Sequence, residues 1–468
     1  MTRIHLIGIG GTGLSAIARV LLEMGHTVSG SDRVESPFTR DLQSAGVIIS
    51  IGHQAENVRG ANLVVRSSAI PDDNPEVTAA RALRIPVLKR ADFLGSLMDG
   101  KTGIAIAGTH GKTTTTSMIA WVLSALGQDP TFIVGGVLAN LGVNARAGKG
   151  NTFVIEADEY DRMFLGLKPT IEVVTNIEHD HPDCYPTPAD FQAAFVEFMY
   201  HLPADGTLVA CTEDRGARDL MDKAKKLGKA VIPYGIVPVP ARDGLSPTTD
   251  AGQPLDVYAS MLAPNGKGGV TFSAFVLGNS AMVELQVPGK HNVRNALAAL
   301  TVAQLLNLPM ADSARALDQF TGTRRRFEVR GELNGIVIID DYAHHPTEIR
   351  ATLEAARARY PSRRIWAVWQ PHTYSRTRAL FNEFAAAFTD ADEVIVTEIY
   401  AAREAKQDFS SKQLVEAMPR PAHFIAGLSE VSNYLVTNLC PGDALLVLSA
   451  GDADQISTEV LTHLKDVK

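Results

Sequence analysis

Two stretches of the chain have the residue types needed to hold phosphate. The stronger is Gly108-Thr109-His110-Gly111-Lys112-Thr113-Thr114-Thr115-Thr116, directly after the strand-like run Ile104–Ala107. Backbone N–H groups of such a loop cradle phosphate oxygens, Lys112 reaches the β- and γ-phosphates, and Thr113 offers its hydroxyl to Mg²⁺. The first glycine of the general P-loop pattern is absent, because its place is taken by Ile106 and Gly108 stands closer in. A GKT core between a strand and a helical stretch still points to an ATP or GTP site.

The second stretch is Gly8-Ile9-Gly10-Gly11-Thr12-Gly13, a GxGxxG between Ile4–Ile7 and the helical run Leu14–Met24. Glycines there let backbone N–H groups approach a pyrophosphate at a helix N-terminus, and Asp32 stands where a ribose-binding acid sits. The pattern suits a nucleotide diphosphate and leaves NAD, FAD and UDP-sugars open.

Two polar clusters accompany the P-loop. Glu156-Ala157-Asp158-Glu159-Tyr160-Asp161 ends the strand-like Phe153–Ile155, and Glu178-His179-Asp180-His181 follows Val173–Asn176. Carboxylates so crowded repel one another unless cations or solvent relieve them. Loops leaving strand ends beside a P-loop converge on the triphosphate, so these acids and a histidine are candidate ligands of a divalent ion.

The elements that must position these groups read as alternating strands and helices. Ile4–Ile7, Thr27–Ser29, Val47–Ser50, Leu63–Arg66 and Pro86–Leu88 are short strands of a parallel sheet. A glycine-bearing break at Asp99–Gly103 precedes the P-loop strand, and a second boundary falls near Gly322, before Arg324-Arg325-Arg326. Val257–Ala263 and Val270–Val276 read as an antiparallel hairpin, Ile236–Pro254 as an exposed connection, and Ile336–Ile339 as the start of a last α/β part. The expected architecture is α/β in three domains: residues 1–100 Rossmann-like, 101–321 a P-loop ATPase-type domain, and 322–468 Rossmann-like again.

Composition narrows the classes. The 468 residues carry a net charge of −8, which argues against non-specific nucleic-acid binding. Three cysteines without CxxC spacing read as reduced packing residues. The lack of a long apolar run or a secretory N-terminus predicts a cytoplasmic chain without a membrane span; the sequence leaves its assembly open between monomer and homodimer.

Taken together, the motifs resemble the Mur ligase family, ATP-dependent enzymes that build the peptide of the peptidoglycan precursor. The resemblance runs end to end through GIGGTG at 8–13, SSAIP at 67–71, GTHGKTTTT at 108–116, EADEYD at 156–161 and TNIEHDH at 175–181. It continues through GKHNVRNALAA at 289–299, GTRRRFEVRGE at 322–332, DDYAHHPTE at 340–348 and QPHTYSRT at 370–377. What it implies is ligation of L-alanine to the lactyl carboxylate of UDP-N-acetylmuramate through an acyl phosphate, with ATP and Mg²⁺ or Mn²⁺. Gly10, Gly11, Thr12, Gly13, Asp32, Ser67 and Ser68 would then hold the UDP-sugar. Gly108, Thr109, His110, Gly111, Lys112, Thr113, Thr114, His291, Asn295, Arg325 and Asp341 would hold ATP, while Thr113, Glu156 and His181 bind the metal. Lys112, Glu156, His181 and Arg326 would be catalytic, and Tyr342, His344, His372 and Arg376 would receive the amino acid.

Sister branches carry a metal-side lysine about 15 residues after the metal histidine; here Val196 stands there, as in the alanine-adding branch. The branch that reattaches a recycled tripeptide shares EADEYD and EVRGE and is the alternative. From other classes, an NAD-dependent oxidoreductase explains only residues 8–32, and a non-catalytic nucleotide sensor leaves Lys112, Thr113, Glu156 and His181 without a reason to occur together.

Overall fold

The computed structural model describes residues 2–237, 247 and 255–466, so most of the connection expected at Ile236–Pro254 lies outside the described residues. Three sheets order the chain. The first is parallel throughout, with Ile48–Ile51, Thr27–Asp32, Arg3–Ile7, Leu63–Arg66 and Val87–Lys89 side by side. The chain reverses direction across the sheet between Arg3–Ile7 and Leu63–Arg66, and ligands of such sheets bind in the crevice at that switch. Gly8–Gly13 leaves one of these strands, and Ser67 and Ser68 leave the other.

The second sheet has ten strands, with the P-loop strand Thr102–Ala107 between Ile171–Val174 and Thr152–Glu156. All three run parallel, so Gly108, Glu156 and the 175–181 loop leave the same sheet edge. The expected hairpin is present as Val257–Pro264 against Val270–Val276, and Asn279–Glu284 extends it. The third sheet is parallel in Ile336–Asp341, Asp443–Ser449, Arg364–Gln370, Glu393–Val396 and His423–Phe424. It gains an antiparallel edge strand, Glu328–Leu333, that the sequence reading omits, because its side chains are mostly polar and half-exposed. The ends of Ile336–Asp341 and Arg364–Gln370 release Tyr342 to His345 and His372 to Arg376 at one edge. Among the described residues no helix is long and apolar enough to cross a membrane.

Local chemistry explains how these ends are shaped. Helix Lys112–Ala125 carries four threonines, poor helix formers, directly after Lys112, yet all are buried and the Thr116 hydroxyl donates to Lys112 O at 2.8 Å. Gly108 has φ +133°, and a Cβ there would collide with Thr175 Oγ1, so only glycine lets the loop lie this close to the neighbouring strand end. Helix Pro346–Arg359 starts with a capping box in which His345 accepts from Thr347 N and Glu348 reaches back.

One buried group works against the fold. Glu172 sits within Ile171–Val174, fully buried, and neither carboxylate oxygen has a hydrogen-bond partner. Burial pushes its pKa up to about 8, with Lys229 opposing weakly. An unfolded glutamate loses its proton near its ordinary value, whereas the folded one keeps it, so stability falls as pH rises from about 4.5 to 8. The loss is on the order of 5 kcal/mol. Glu172→Gln is expected to raise the melting temperature of this domain by roughly 10 °C at pH 9 and to change it little at pH 5. Calorimetry at both pH values checks this; equal shifts at the two would contradict it.

Candidate active site

The P-loop amine is the centre of the charge arrangement. Lys112 Nζ donates to Gly108 O at 2.5 Å and Thr109 O at 3.1 Å, and lies 2.9 Å from the Glu159 carboxylate. Burial lowers the pKa of Lys112, but Glu159, Glu156 and Asp158 outweigh it and hold the amine above its ordinary value, so it stays a cation. Burial, against Lys112 and Gly135 N–H, raises Glu156, while burial with repulsion from Glu159 raises Asp158. One lysine therefore faces three carboxylates, a balance that a divalent cation would correct.

The oxygen donors suit such an ion. Thr113 Oγ1 donates to Glu156 Oε1 at 3.0 Å, and Gly135 N donates to Glu156 Oε2 at 2.7 Å. His181 Nε2 is 3.6 Å from Glu159 Oε1 and 3.7 Å from Asp180 Oδ2. Thr113, Glu156 and His181 thus belong to one polar neighbourhood, with Glu159 between Lys112 and the histidine. Among the described residues a second group, His110, Glu178 and His345, has ligand atoms within 4.8 Å of one another. These atoms are already engaged in ion pairs and a helix cap.

A cavity of about 400 Å³ opens beside the loop, within the range of small-molecule sites. His110, Gly111, Thr114, His291, Asn295, Arg326 and Asp341 line it, so the structure brings together candidates from all three motif groups. Asn292, one helical turn before Asn295, also lines it; Asn295 Nδ2 donates to Asn292 Oδ1 at 3.1 Å. The sequence signal for Asn292 was its spacing on the same helix face. Burial and Arg294 push His291 down to about 4, so its ring is neutral. Asp341 shapes the wall rather than reaching out: Phe327 N donates to its Oδ2 at 2.7 Å and Ala343 N to its Oδ1 at 2.8 Å. Arg325 is not brought to the cavity. Its Nη2 donates to Ser449 O at 2.7 Å and Gly451 O at 3.1 Å, and its guanidinium, like that of Arg326, lies 5.1 Å from the Tyr342 ring centre.

The third domain supplies a cluster of rings. The His344 and His372 ring centres are 6.0 Å apart, and His372 stacks on Tyr400 at 5.8 Å. Burial pushes His344 down to about 3 and His372 to about 4, so both rings are neutral. His344 joins this cluster beside Tyr342, while its neighbour His345 caps a helix. Arg376 is 5% exposed and crosses the domain boundary: Nε donates to Asp180 Oδ1 at 2.9 Å and Nη2 to Asp180 Oδ2 at 3.2 Å. Its Nη1 also bonds His372 Nδ1 at 3.2 Å. With three of five N–H donors committed, one remains on each terminal nitrogen. The pairing with Asp180, far away in the chain, had no sequence signal.

In the first domain, Gly10 N donates to Asp32 Oδ2 at 2.8 Å and Arg33 N to Asp32 Oδ1 at 2.8 Å. Asp32 therefore buttresses the glycine loop with both oxygens. Gly11, Thr12 and Gly13 open the helix Thr12–Glu23, and Ser67 N donates to Ile7 O at 3.0 Å, which sets Ser67 and Ser68 beside that loop. The sequence reading missed Arg90, the first residue of helix Arg90–Leu97. A Cβ on Gly13 would collide with the Arg90 guanidinium, so the arginine lies directly over the loop, and its Nη2 is 3.6 Å from Asp158 Oδ2.

Comparison with known proteins agrees with this architecture. Residues 3–102 match the Mur ligase family catalytic domain, 106–303 the Mur ligase middle domain, and 325–451 the Mur ligase glutamate ligase domain. The chain is 43% identical to a UDP-N-acetylmuramate–L-alanine ligase of Geobacter sulfurreducens, over 100% of this chain and 98% of that protein. It superposes on the UDP-N-acetylmuramate–alanine ligase of Thermotoga maritima with a TM-score of 0.80 and 29% identity, each chain fully covered. A murein peptide ligase of Psychrobacter arcticus, also fully covered, gives 0.71 and 26%. Three successive domain matches over nearly the whole length, on three sheets whose loops converge, make this chain a member of the Mur ligase family.

Proposed function

We propose that this enzyme joins L-alanine to the lactyl carboxylate of UDP-N-acetylmuramate, with ATP converting the carboxylate to an acyl phosphate. The observation that carries the reading is the meeting of Lys112, Glu156 and His181 on one side of the domain boundary with Arg376, His344 and His372 on the other, through the Asp180–Arg376 pair. The Geobacter and Thermotoga proteins named above support L-alanine as the amino acid.

Each domain has a share. The glycine loop Gly8–Gly13, with Ser67, Ser68 and Arg90, receives the UDP-sugar. The 400 Å³ cavity takes the adenosine of ATP against His291 and Asn295, and Gly108–Thr114 takes its phosphates. Thr113, Glu156 and His181 would hold Mg²⁺ or Mn²⁺, which neutralises phosphate charge when bound. Lys112 carries a fixed positive charge to the phosphoryl being transferred, and Arg326 adds a second from the third domain. The two uncommitted N–H groups of Arg376 form a fork for the amino-acid carboxylate. The close walls of His344, His372 and Tyr400 favour a methyl side chain.

Phosphate release from ATP with UDP-N-acetylmuramate and a panel of acceptors tests this. L-Alanine is expected to support turnover with glycine and L-serine weaker. Turnover with the tripeptide L-alanyl-γ-D-glutamyl-meso-diaminopimelate alone would assign the chain to the murein peptide branch instead. For the sugar site, Arg90→Ala is expected to weaken UDP-N-acetylmuramate binding roughly 10- to 100-fold, the about 1.5–3 kcal/mol of a charged hydrogen bond. Calorimetric titration measures it; unchanged affinity would place the diphosphate elsewhere.

A further inference from the structure

The third residue of the phosphate loop, His110, turns both nitrogens of its ring to carboxylates. The backbone of His110 is fully pinned: its N–H donates to Asn176 Oδ1 at 2.8 Å, and its carbonyl accepts from Thr175 Oγ1 at 2.6 Å and Asn176 Nδ2 at 3.0 Å. The imidazole therefore leaves the loop in a fixed direction, and it crosses into the third domain. Nε2 lies 2.9 Å from Glu178 Oε2, and Nδ1 lies 3.2 Å from Glu348 Oε1 on helix Pro346–Arg359.

Carboxylates on both sides decide the charge of the ring. A neutral imidazole has one N–H and one lone pair, so one of the two carboxylates would face a bare lone pair in a buried place. Both nitrogens must donate. The other groups packed here agree: His345, 4.7 Å away ring to ring, and His344 are neutral, and Arg326 Nη1 stands 3.8 Å from Glu348 Oε1. Lys112, in the same loop, is turned to Glu159. Among the described residues the imidazolium is thus the one charge that touches both Glu178 and Glu348. Burial lowers its pKa, but the two carboxylates outweigh this and raise it to about 9. Thr347 Oγ1, donating to Glu178 Oε1 at 2.9 Å, completes the junction.

We infer that protonated His110 is an inter-domain strap, a positioning residue on the phosphate loop that ties helix Pro346–Arg359, and with it Arg326 and the amino-acid pocket, over the nucleotide. Because its backbone belongs to the loop that receives the phosphates, nucleotide binding and docking of the third domain share one rigid element and become one coupled equilibrium. By reciprocity, a docked third domain tightens nucleotide binding by the same factor. The inference deepens the proposed function, since ligation is one of its readouts.

The test uses the full chain and two variants that break the same contact from opposite domains, His110→Gln and Glu348→Gln. Glu348→Gln keeps an oxygen for the helix cap, so both variants are expected to fold, as thermal unfolding will report. Both should raise the KM for L-alanine tenfold or more, lower kcat less, and leave UDP-N-acetylmuramate affinity unchanged. Small-angle scattering with a non-hydrolysable ATP analogue should show the wild type compact and both variants extended. The wild type should extend as pH rises past about 9, where the raised pKa releases the proton, while His110→Gln should not respond to pH. Variants that scatter and saturate as the wild type does, or that differ from one another in kind, would overturn the strap. Scattering needs no acceptor: extended variants of a chain that fails to use L-alanine would leave the strap standing and refute the proposed substrate.

Discussion

Lys112→Ala is expected to abolish ligation, with kcat reduced at least about 1000-fold, while UDP-N-acetylmuramate still binds. The chemistry joins two anions, since a carboxylate must approach the terminal phosphate of ATP. Two unit charges 4 Å apart repel by about 4 kcal/mol at an effective dielectric of 20, and the repulsion grows as the site dries. Among the described residues Lys112 is the only lysine or arginine that bonds the loop carbonyls and Glu159, and His181, 3.6 Å from Glu159, does not reach those carbonyls. Its removal also leaves Glu159, 1% exposed, without its partner. The double variant Lys112→Ala/Glu159→Gln removes that charge as well and should regain thermal stability without regaining activity. Steady-state phosphate release and calorimetric binding of the sugar nucleotide separate the two effects. Loss of sugar binding in the double variant would mean that the first and second domains do not hold separate sites.

Arg376→Ala is the second large effect. Arg376 and Asp180 are both 5% exposed, and removing one member of such a pair costs about 3–5 kcal/mol because the other charge is left buried. Burial alone would raise the pKa of Asp180, but Arg376, with His181 and His344, outweighs it and holds the carboxyl far below the usual range. A depressed carboxyl contributes its stability at all pH values above its ordinary pKa and loses it only in strong acid. The pair is therefore intact from pH 5 to 9, and its loss should be independent of pH there. The expected result is a 100-fold or greater rise in the KM for L-alanine together with a fall in kcat, with sugar-nucleotide binding unchanged. Arg376→Lys keeps the charge but cannot span both oxygens, and should recover only part. An unaltered KM in Arg376→Ala would remove this arginine from the amino-acid pocket.

What could be read before any coordinates was local. GTHGKTTTT, EADEYD and TNIEHDH each combine a strand end with the loop after it, so the placement of Lys112, Thr113, Glu156 and His181 at one sheet edge follows from parallel strand order. The hairpin at 257–276 was legible from its alternation. The contacts that join domains were not. His110 and Glu348 are 238 residues apart, and Asp180 and Arg376 are 196 apart, so no periodicity or turn chemistry relates them. Arg90 was hidden for a similar reason: it looks like any exposed charge at a helix start until the fold lays it over Gly13. Short edge strands such as Ala145–Arg146 also escaped, since two residues carry no pattern. Of the adjacent pair His344-His345, only the structure distinguishes the one that joins the cluster of rings from the one that caps a helix.

The arrangement around Lys112 has a purpose only if the sugar carboxylate itself takes the terminal phosphoryl of ATP. UDP-N-acetylmuramate labelled with oxygen-18 in its lactyl carboxylate reports this directly. Mass spectrometry of the inorganic phosphate released during ligation of L-alanine should find one labelled oxygen per turnover. Phosphate free of label, with ligation proceeding, would contradict the acyl phosphate and the catalytic role given to Lys112.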